Sequence, residues 1–307
     1  MLCLDVMEGR MREPAYETRE RLAAERAGRG FEASVPGLWC CGELAALAQS
    51  CVAIVGTRAP TPYGRGLAHA FAADLGRAGC CIVSGLALGI DAAAHEGALS
   101  VAAPTVGVLG GGHRHFFPPR NRDLGDRIVA AGGAVLSPYQ PDQPARPWQF
   151  LQRNAIVAAL ADAVVVIEAP ARSGALNTAG WAAGRIPVLA VPGDVDRRHV
   201  QGCLALIRDG ATLARSPDDV LEALGRLHLG APARAPVIAR DPVAGALLAA
   251  MEGGIAEFDD LVGAARVSAA AALAALTMLE LNGIIEVRGA SSYARVAALS
   301  RGEEPTR

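Results

Sequence analysis

The sequence has no lysine: all 29 basic residues in its 307 are arginine. A P-loop lysine, a Schiff-base lysine and a lysine general base are therefore excluded. Aromatic residues are scarce, at 4%. No apolar run reaches the length of a membrane span. Residues 1–30 are charged and lack the apolar stretch of a secretory leader, so a cytoplasmic protein with no membrane partner is expected. C-x-x-C is also missing. The seven cysteines include two adjacent pairs, Cys40-Cys41 and Cys80-Cys81, and neighbours in sequence are poor disulfide partners, so free buried thiols are expected. His113 and His115 have no cysteine or carboxylate cluster to complete a metal set, so neither metal nor cofactor is expected. A net charge of −2 gives no overall basic field, and a nucleic-acid partner would need a local arginine cluster.

What is present is apolar: 51% of residues, ample for a large core, and a length that suggests two domains. The chain is organised around residues 51–99. Cys51-Val52-Ala53-Ile54-Val55 reads as a strand buried on both faces, closed by the turn Gly56-Thr57-Arg58. A helix is predicted from about Tyr63 to Ala78. Cys80-Cys81-Ile82-Val83 is a second strand, ending in Ser84-Gly85, and Gly89-Ile90-Asp91 opens a second helix. In open α/β sheets ligands bind at the carboxyl ends of strands, where backbone N–H groups and helix N-termini favour anions.

Before this unit, residues 1–36 read as weakly structured, with one short exposed helix over 19–29, then an extended segment and a short helix over 43–48. After it come strands at 104–109, 134–137, 163–168 and 187–191, and a short one at 211–213, with helices between them. The first of these ends in Gly110-Gly111-Gly112, which implies a tight turn or a close backbone approach. Residues 226–240, with Pro232 and Pro236, read as a linker. Helices over 243–251, 257–264 and 268–282, then a hairpin over 284–288 and 293–296 carrying Arg288 and Arg295, give a winged-helix pattern.

The strand-end loops supply the candidate site: Gly56, Thr57, Arg58, Ser84, Gly85, Gly110 to Gly112, Ser173, Gly174 and Thr178. Converging on one sheet edge, they would make a phosphate pocket of N–H groups, hydroxyls and a guanidinium. The glycines could instead serve tight turns, and the hydroxyls could simply cap helices. Asp91 and His95 stand at i,i+4 and are expected to pair in a structural hydrogen bond rather than as an acid–base couple. Arg146, Trp148, Phe150 and Arg153 interleave cations and rings, as single-strand binders do. Of the two rings, one is expected in the core.

These same residues carry a family resemblance. Val52 to Arg58, Ser84-Gly85-Leu86-Ala87-x-Gly89-Ile90-Asp91-x-x-x-His95, Arg153-Asn154, Ser173-Gly174-x-Leu176-x-Thr178 and Val191-Pro192-Gly193 resemble the DprA/Smf family over residues 35–215. Residues 273–283 resemble that family's optional winged helix. The resemblance implies a Rossmann-like, doubly wound, mostly parallel sheet that binds single-stranded DNA, dimerises, and loads RecA onto the strand in natural transformation, without catalysis. It places the strand on Gly56, Thr57, Arg58, Ser84, Gly85, Arg146, Phe150, Arg153, Asn154, Ser173, Gly174 and Thr178. Ala155, Asn177, Pro138 and Pro147 depart from the family pattern, and the family's N-terminal helical domain is expected to be truncated or absent.

The expected organisation is a short extension over 1–35, a DNA-binding domain over 36–225, a linker over 226–240 and a winged helix over 241–299. The alternative is a LOG-like phosphoribohydrolase with Glu168 as its acid, although that family's Pro-Gly-Gly-x-Gly-Thr-x-x-Glu motif is missing. A dinucleotide-binding protein is a third reading, against which no G-x-G-x-x-G follows the first strand. The winged-helix unit is expected to face a protein partner, because its third helix has only Glu280 as a charge and offers no arginine, glutamine or histidine for base readout.

Overall fold

In the computed structural model, residues 11, 13–26, 37–226, 242–281, 284–287 and 292–295 are described. The chain divides into two compact units, at residues 227 and 228. The expected linker over 226–240 falls almost wholly outside the described residues, as does Arg288.

The first unit is built on one sheet. Its strands are β1 (Ala15–Glu17), β2 (Leu38–Gly42), β3 (Ser50–Val55), β4 (Cys80–Ser84), β5 (Thr105–Val108), β6 (Ala134–Ser137), β7 (Ala163–Val166), β8 (Val188–Ala190) and β9 (Thr212–Leu213). The spatial order is β1-β2-β6-β5-β4-β3-β7-β8-β9. From β6 to β9 every pairing is parallel, and β2 joins β6 antiparallel. The apolar runs of β3, β4 and β7 are buried on both faces, which is why they read as continuous rather than alternating.

The helices are α1 (Arg19–Glu25), α2 (Pro62–Arg77), α3 (Ile90–Leu99), α4 (Arg122–Ala130), α5 (Pro147–Ala159), α6 (Gly174–Ala182), α7 (Gln201–Arg208) and α8 (Pro217–Ala223). One face of the sheet packs a cluster with Phe71, Leu75 and Ile90; the other packs Ile156, Val157 and Ala179. The layering is that of an α/β doubly wound fold. After β3, the chain adds β4, β5 and β6 on one side, then returns to place β7 on the other. The reversal puts a switch point between β3 and β7.

The N-terminal segment departs from expectation. Ala15–Glu17 forms a strand against β2, with Tyr16 edge-on to Trp39. The helix α1 is shorter than expected and is not simply exposed: Leu22 is fully buried, and so is Arg26 just beyond it. Arg26 donates to Leu160 O and, at 2.6 Å, to Asp162 Oδ1, while Asp162 Oδ2 accepts from Cys51 N–H at 2.7 Å. A buried guanidinium is tolerated only with such partners. Six of the cysteines are described, and all six are buried thiols with no disulfide among them.

The second unit holds α9 (Pro242–Glu252), α10 (Phe258–Ala265), α11 (Ala269–Leu281) and the hairpin of β10 (Ile285–Val287) with β11 (Tyr293–Arg295). Its core is Leu247, Leu261, Leu276, Leu279 and Ile285. Three helices and a wing make a winged-helix-like domain. Ser268 accepts from Ala271 N–H, the expected cap of α11.

Candidate nucleic-acid interface

At the carboxyl ends of β3, β4 and β7 lies a cleft of about 270 Å³. It stands at the switch point, where doubly wound sheets bind ligands. Ten of the twelve expected residues line it: Gly56, Thr57, Arg58, Gly85, Phe150, Arg153, Asn154, Ser173, Gly174 and Thr178.

Two do not. Ser84 is fully buried and donates to Ile54 O at 2.6 Å, stitching β4 to β3 where polar termini would otherwise be left without partners. Arg146 is exposed but stands at the N-terminal cap of α5, outside the cleft lining. Arg172, which the sequence reading passed over, does line the cleft. It directly precedes the Ser173 cap of α6, and that adjacency is the signal that could have found it.

Arg58 is exposed, with its guanidinium 5.3 Å from the centre of the Phe150 ring. Among the described residues neither Arg58 nor Arg172 has an ion pair, and both are exposed at the cleft. The N-terminus of α6 opens on the same cleft, with Ser173 Oγ accepting from Ala175 N–H at 3.3 Å. Asn154 donates to Gly174 O at 3.1 Å, which ties α5 to α6 across the cleft.

Arg153 is different. It is buried, donates to Val108 O at 3.1 Å, and desolvation lowers its pKa to about 10. The guanidinium still carries its charge at neutral pH, beside Asp91. A Cβ on Gly85 would collide with this guanidinium and come within 2.7 Å of Asp91 Oδ2. Gly85 is thus a packing requirement beneath the cleft. Gly56 is similar: a Cβ there would stand 2.6 Å from Ile90 Cγ1 and 2.8 Å from Glu168 O. The glycines at 110–112 admit the Phe150 ring, Ala145 and the 140–141 backbone, and none of them lines the cleft.

Asp91 and His95 do not pair. Asp91 accepts from Gly85 N–H at 3.2 Å and Ala87 N–H at 3.4 Å, holding the loop after β4. Burial raises its pKa despite the nearby Arg153. Leu86 in that loop has a left-handed φ of 55°, and Asn121 donates to Leu86 O and Ala87 O, at 2.9 and 3.1 Å. His95 meets Thr105 Oγ1 at 2.7 Å, and that hydroxyl donates to Ile82 O. The hydroxyl proton is thereby committed, so Nδ1–H of His95 is the donor and Nε2 is left buried without a partner. Protonation there has no acceptor, and burial depresses the pKa to about 3.

Trp148 is half exposed, edge-on to Tyr139 at 6.4 Å, and so neither expected ring is a core ring; Phe150 is partly buried against Phe117. Glu168 turns to α2, accepting from Thr61 N–H at 2.9 Å and Thr61 Oγ1 at 2.5 Å, and does not line the cleft.

The family of DNA recombination-mediator protein A matches residues 25–225. The chain belongs to this family. The DprA winged helix domain matches residues 231–289, the second unit. A relative in Mycobacterium tuberculosis is 41% identical over 261 residues, covering 82% of this chain and 66% of its own length. Protein Smf of Synechocystis is 42% identical over 179 residues, or 58% of this chain and 45% of its own. The chain thus spans between about half and two thirds of the length of these relatives. The solved structure of DNA processing protein A from Streptococcus pneumoniae superposes with a TM-score of 0.61 at 33% identity, over 69% of this chain and 75% of that one. That of Helicobacter pylori, described for its single-stranded DNA binding mode, gives 0.57 at 31% identity, over 63% and 89%.

Proposed function

We propose that the core binds single-stranded DNA and acts, without catalysis, as a recombination mediator that loads RecA onto the strand in natural transformation. The observation that carries this is the placement of two guanidiniums, Arg58 and Arg172, in the lining of a switch-point cleft that also presents the Phe150 ring, neither with an ion pair among the described residues. Arginine meets phosphate with charge-assisted, often bidentate bonds, and aromatic faces take bases without regard to sequence. The α6 N-terminus adds N–H donors of the right polarity.

A binding role rather than a catalytic one is supported by Asp91 and His95. Each is committed to bonds that hold the loop or the sheet. The homodimer and the RecA contact are part of the same proposal, and family membership is what supports them. The test is a labelled poly-dT shift at fixed salt, run beside an assay for base release from nucleoside monophosphates. A salt-sensitive shift without base release is expected. Base release without a shift overturns the reading.

A further inference from the structure

We propose that Trp148 is a base-stacking platform outside the cleft, across which the single strand continues along the outer face of α5. The proposal rests on the single-strand reading and adds the path that the strand takes on leaving the cleft.

The surface is one stripe of α5. Trp148, Leu151 and Asn154 stand three residues apart, so they are neighbours on the helix surface. Leu151 and Asn154 line the cleft; Trp148, nearer the start of the helix, does not. The stripe therefore runs out of the cleft without a break. From Asn154 to Trp148 the helix rises about 9 Å, room for roughly two or three nucleotides at about 3.4 Å each.

The chemistry of the stripe selects what can lie on it. Leu151 is 52% exposed and Trp148 49%. A solvated helix face is ordinarily polar or charged. Here Gln152 and Ala155 beside the stripe add no charge, and α5 holds no acidic residue to repel a polyanion. Phosphates have no cation to meet on the stripe itself, whereas bases have a ring and an alkyl side chain to lie on.

The indole is also held ready. Tyr139 meets it nearly at right angles, with ring centres 6.4 Å apart, so at least one indole face is left uncovered by that contact. Tyr139 is fixed in turn by donating its hydroxyl to Gln152 Oε1 at 3.1 Å, and Pro147 stiffens the first turn of the helix. A ring so restrained loses little freedom when a base stacks on it. A protein partner would also cover these side chains, but a strand seated in the cleft reaches them by continuity.

The test uses the full chain with labelled dT and abasic oligomers of equal length, long enough to pass beyond the cleft, at fixed salt. Of the three tryptophans, Trp39, Trp148 and Trp181, Trp148 is the one expected to be quenched by a stacked base. Saturating dT should therefore quench the wild-type tryptophan emission, and the abasic strand should not. Trp148→Phe keeps a ring, so it should abolish the quench and bind dT within about twofold of the wild type. Trp148→Ala should weaken dT binding about fivefold, the low end of base–aromatic stacking, and leave abasic affinity and the salt slope unchanged. A quench that survives in Trp148→Phe overturns the platform and leaves single-strand binding intact. Wild-type dT affinity in Trp148→Ala does the same, and frees the indole for a protein partner. Should Trp148→Ala fail to fold, the emission of Trp148→Phe decides. A wild type that binds no dT overturns the single-strand reading and the platform with it.

Discussion

Arg58 and Arg172 both line the cleft, and the contribution of each should be measurable alone. Arg58→Ala and Arg172→Ala are each expected to lower dT-oligomer affinity about tenfold, the loss of one charge-assisted contact. Together they predict a log–log salt slope of roughly −1.4, from about −0.7 per phosphate, and each variant should flatten it by one such step. Arg146→Ala should leave affinity within about twofold, because its side chain stands outside the cleft. A slope near zero in the wild type, or equal affinities across all three variants, would contradict this assignment. At this scale the sequence was a good guide to which loops converge and a poorer one to which atoms face inward. Gly56-Thr57-Arg58 and Ser173-Gly174 were legible because each follows an apolar strand. Ser84 and the Asp91–His95 pair were not, since their partners, Ile54 O, the Gly85 and Ala87 N–H groups and Thr105, are fixed by neighbouring strands and loops rather than by spacing along one helix.

Among the elements, α2 is anchored at its start by Glu168. Thr61 caps the helix by accepting from Gly64 N–H at 3.0 Å, and donates its own hydroxyl to the Glu168 carboxylate. A side chain at Gly64 would run into that carboxylate. Glu168→Ala should therefore destabilise the core by about 1–2 kcal/mol, the cost of leaving partly buried donors unmatched. Single-strand binding by the folded fraction should persist. Urea midpoints and dT affinity measured on one preparation decide the matter: loss of binding with no change in midpoint would move Glu168 into the site. The strands β3, β4 and β7 were readable from their unbroken apolar runs. The strand β1 and the helix α8 were not, because neither is strongly apolar. The strand is held by its register against β2, and the helix by a capping box in which Ser216 and Asp219 take part. Arg26 escaped notice for the same reason, as its partners lie more than 130 residues away.

Stability of the whole molecule should respond to mild acid. His95 is held neutral, with its pKa down at about 3, and His113 is shifted the same way, donating from Nε2 to Val135 O with Nδ1 orphaned. The unfolded chain binds these protons near pH 6.5 and the native one does not. The stabilisation is thus complete above pH 6.5 and is lost as pH falls toward 3. For His95 alone the loss is about 2 kcal/mol between pH 7 and pH 5. Asp91 has the opposite sign: its raised pKa favours the native state below about pH 4 and offsets part of the loss there. Urea midpoints at pH 7 and pH 5 test this, and equal midpoints would refute it. The second unit offers the other whole-molecule test. Its α11 shows solvent Leu273, Ala274, Thr277 and Met278, with Leu273 53% and Met278 50% exposed, and Glu280 is the one charge on that helix. A recognition helix that reads base edges needs arginine, asparagine or glutamine there. The core, in contrast, holds Arg58, Arg172 and Phe150 in one cleft. A chain of residues 1–235 should therefore bind dT oligomers within about threefold of the full chain, with a salt slope unchanged by as much as one phosphate equivalent. Duplex affinity should be weak in both, since the exposed face of α11 carries no cation to neutralise a phosphate. Comparing both chains on single-strand and duplex oligomers at two salt concentrations separates the outcomes. A tenfold loss of single-strand affinity on truncation, with the core still folded by its urea midpoint, would assign the second unit to the strand. Retained affinity leaves the exposed face of α11, which carries no cation, for a protein partner.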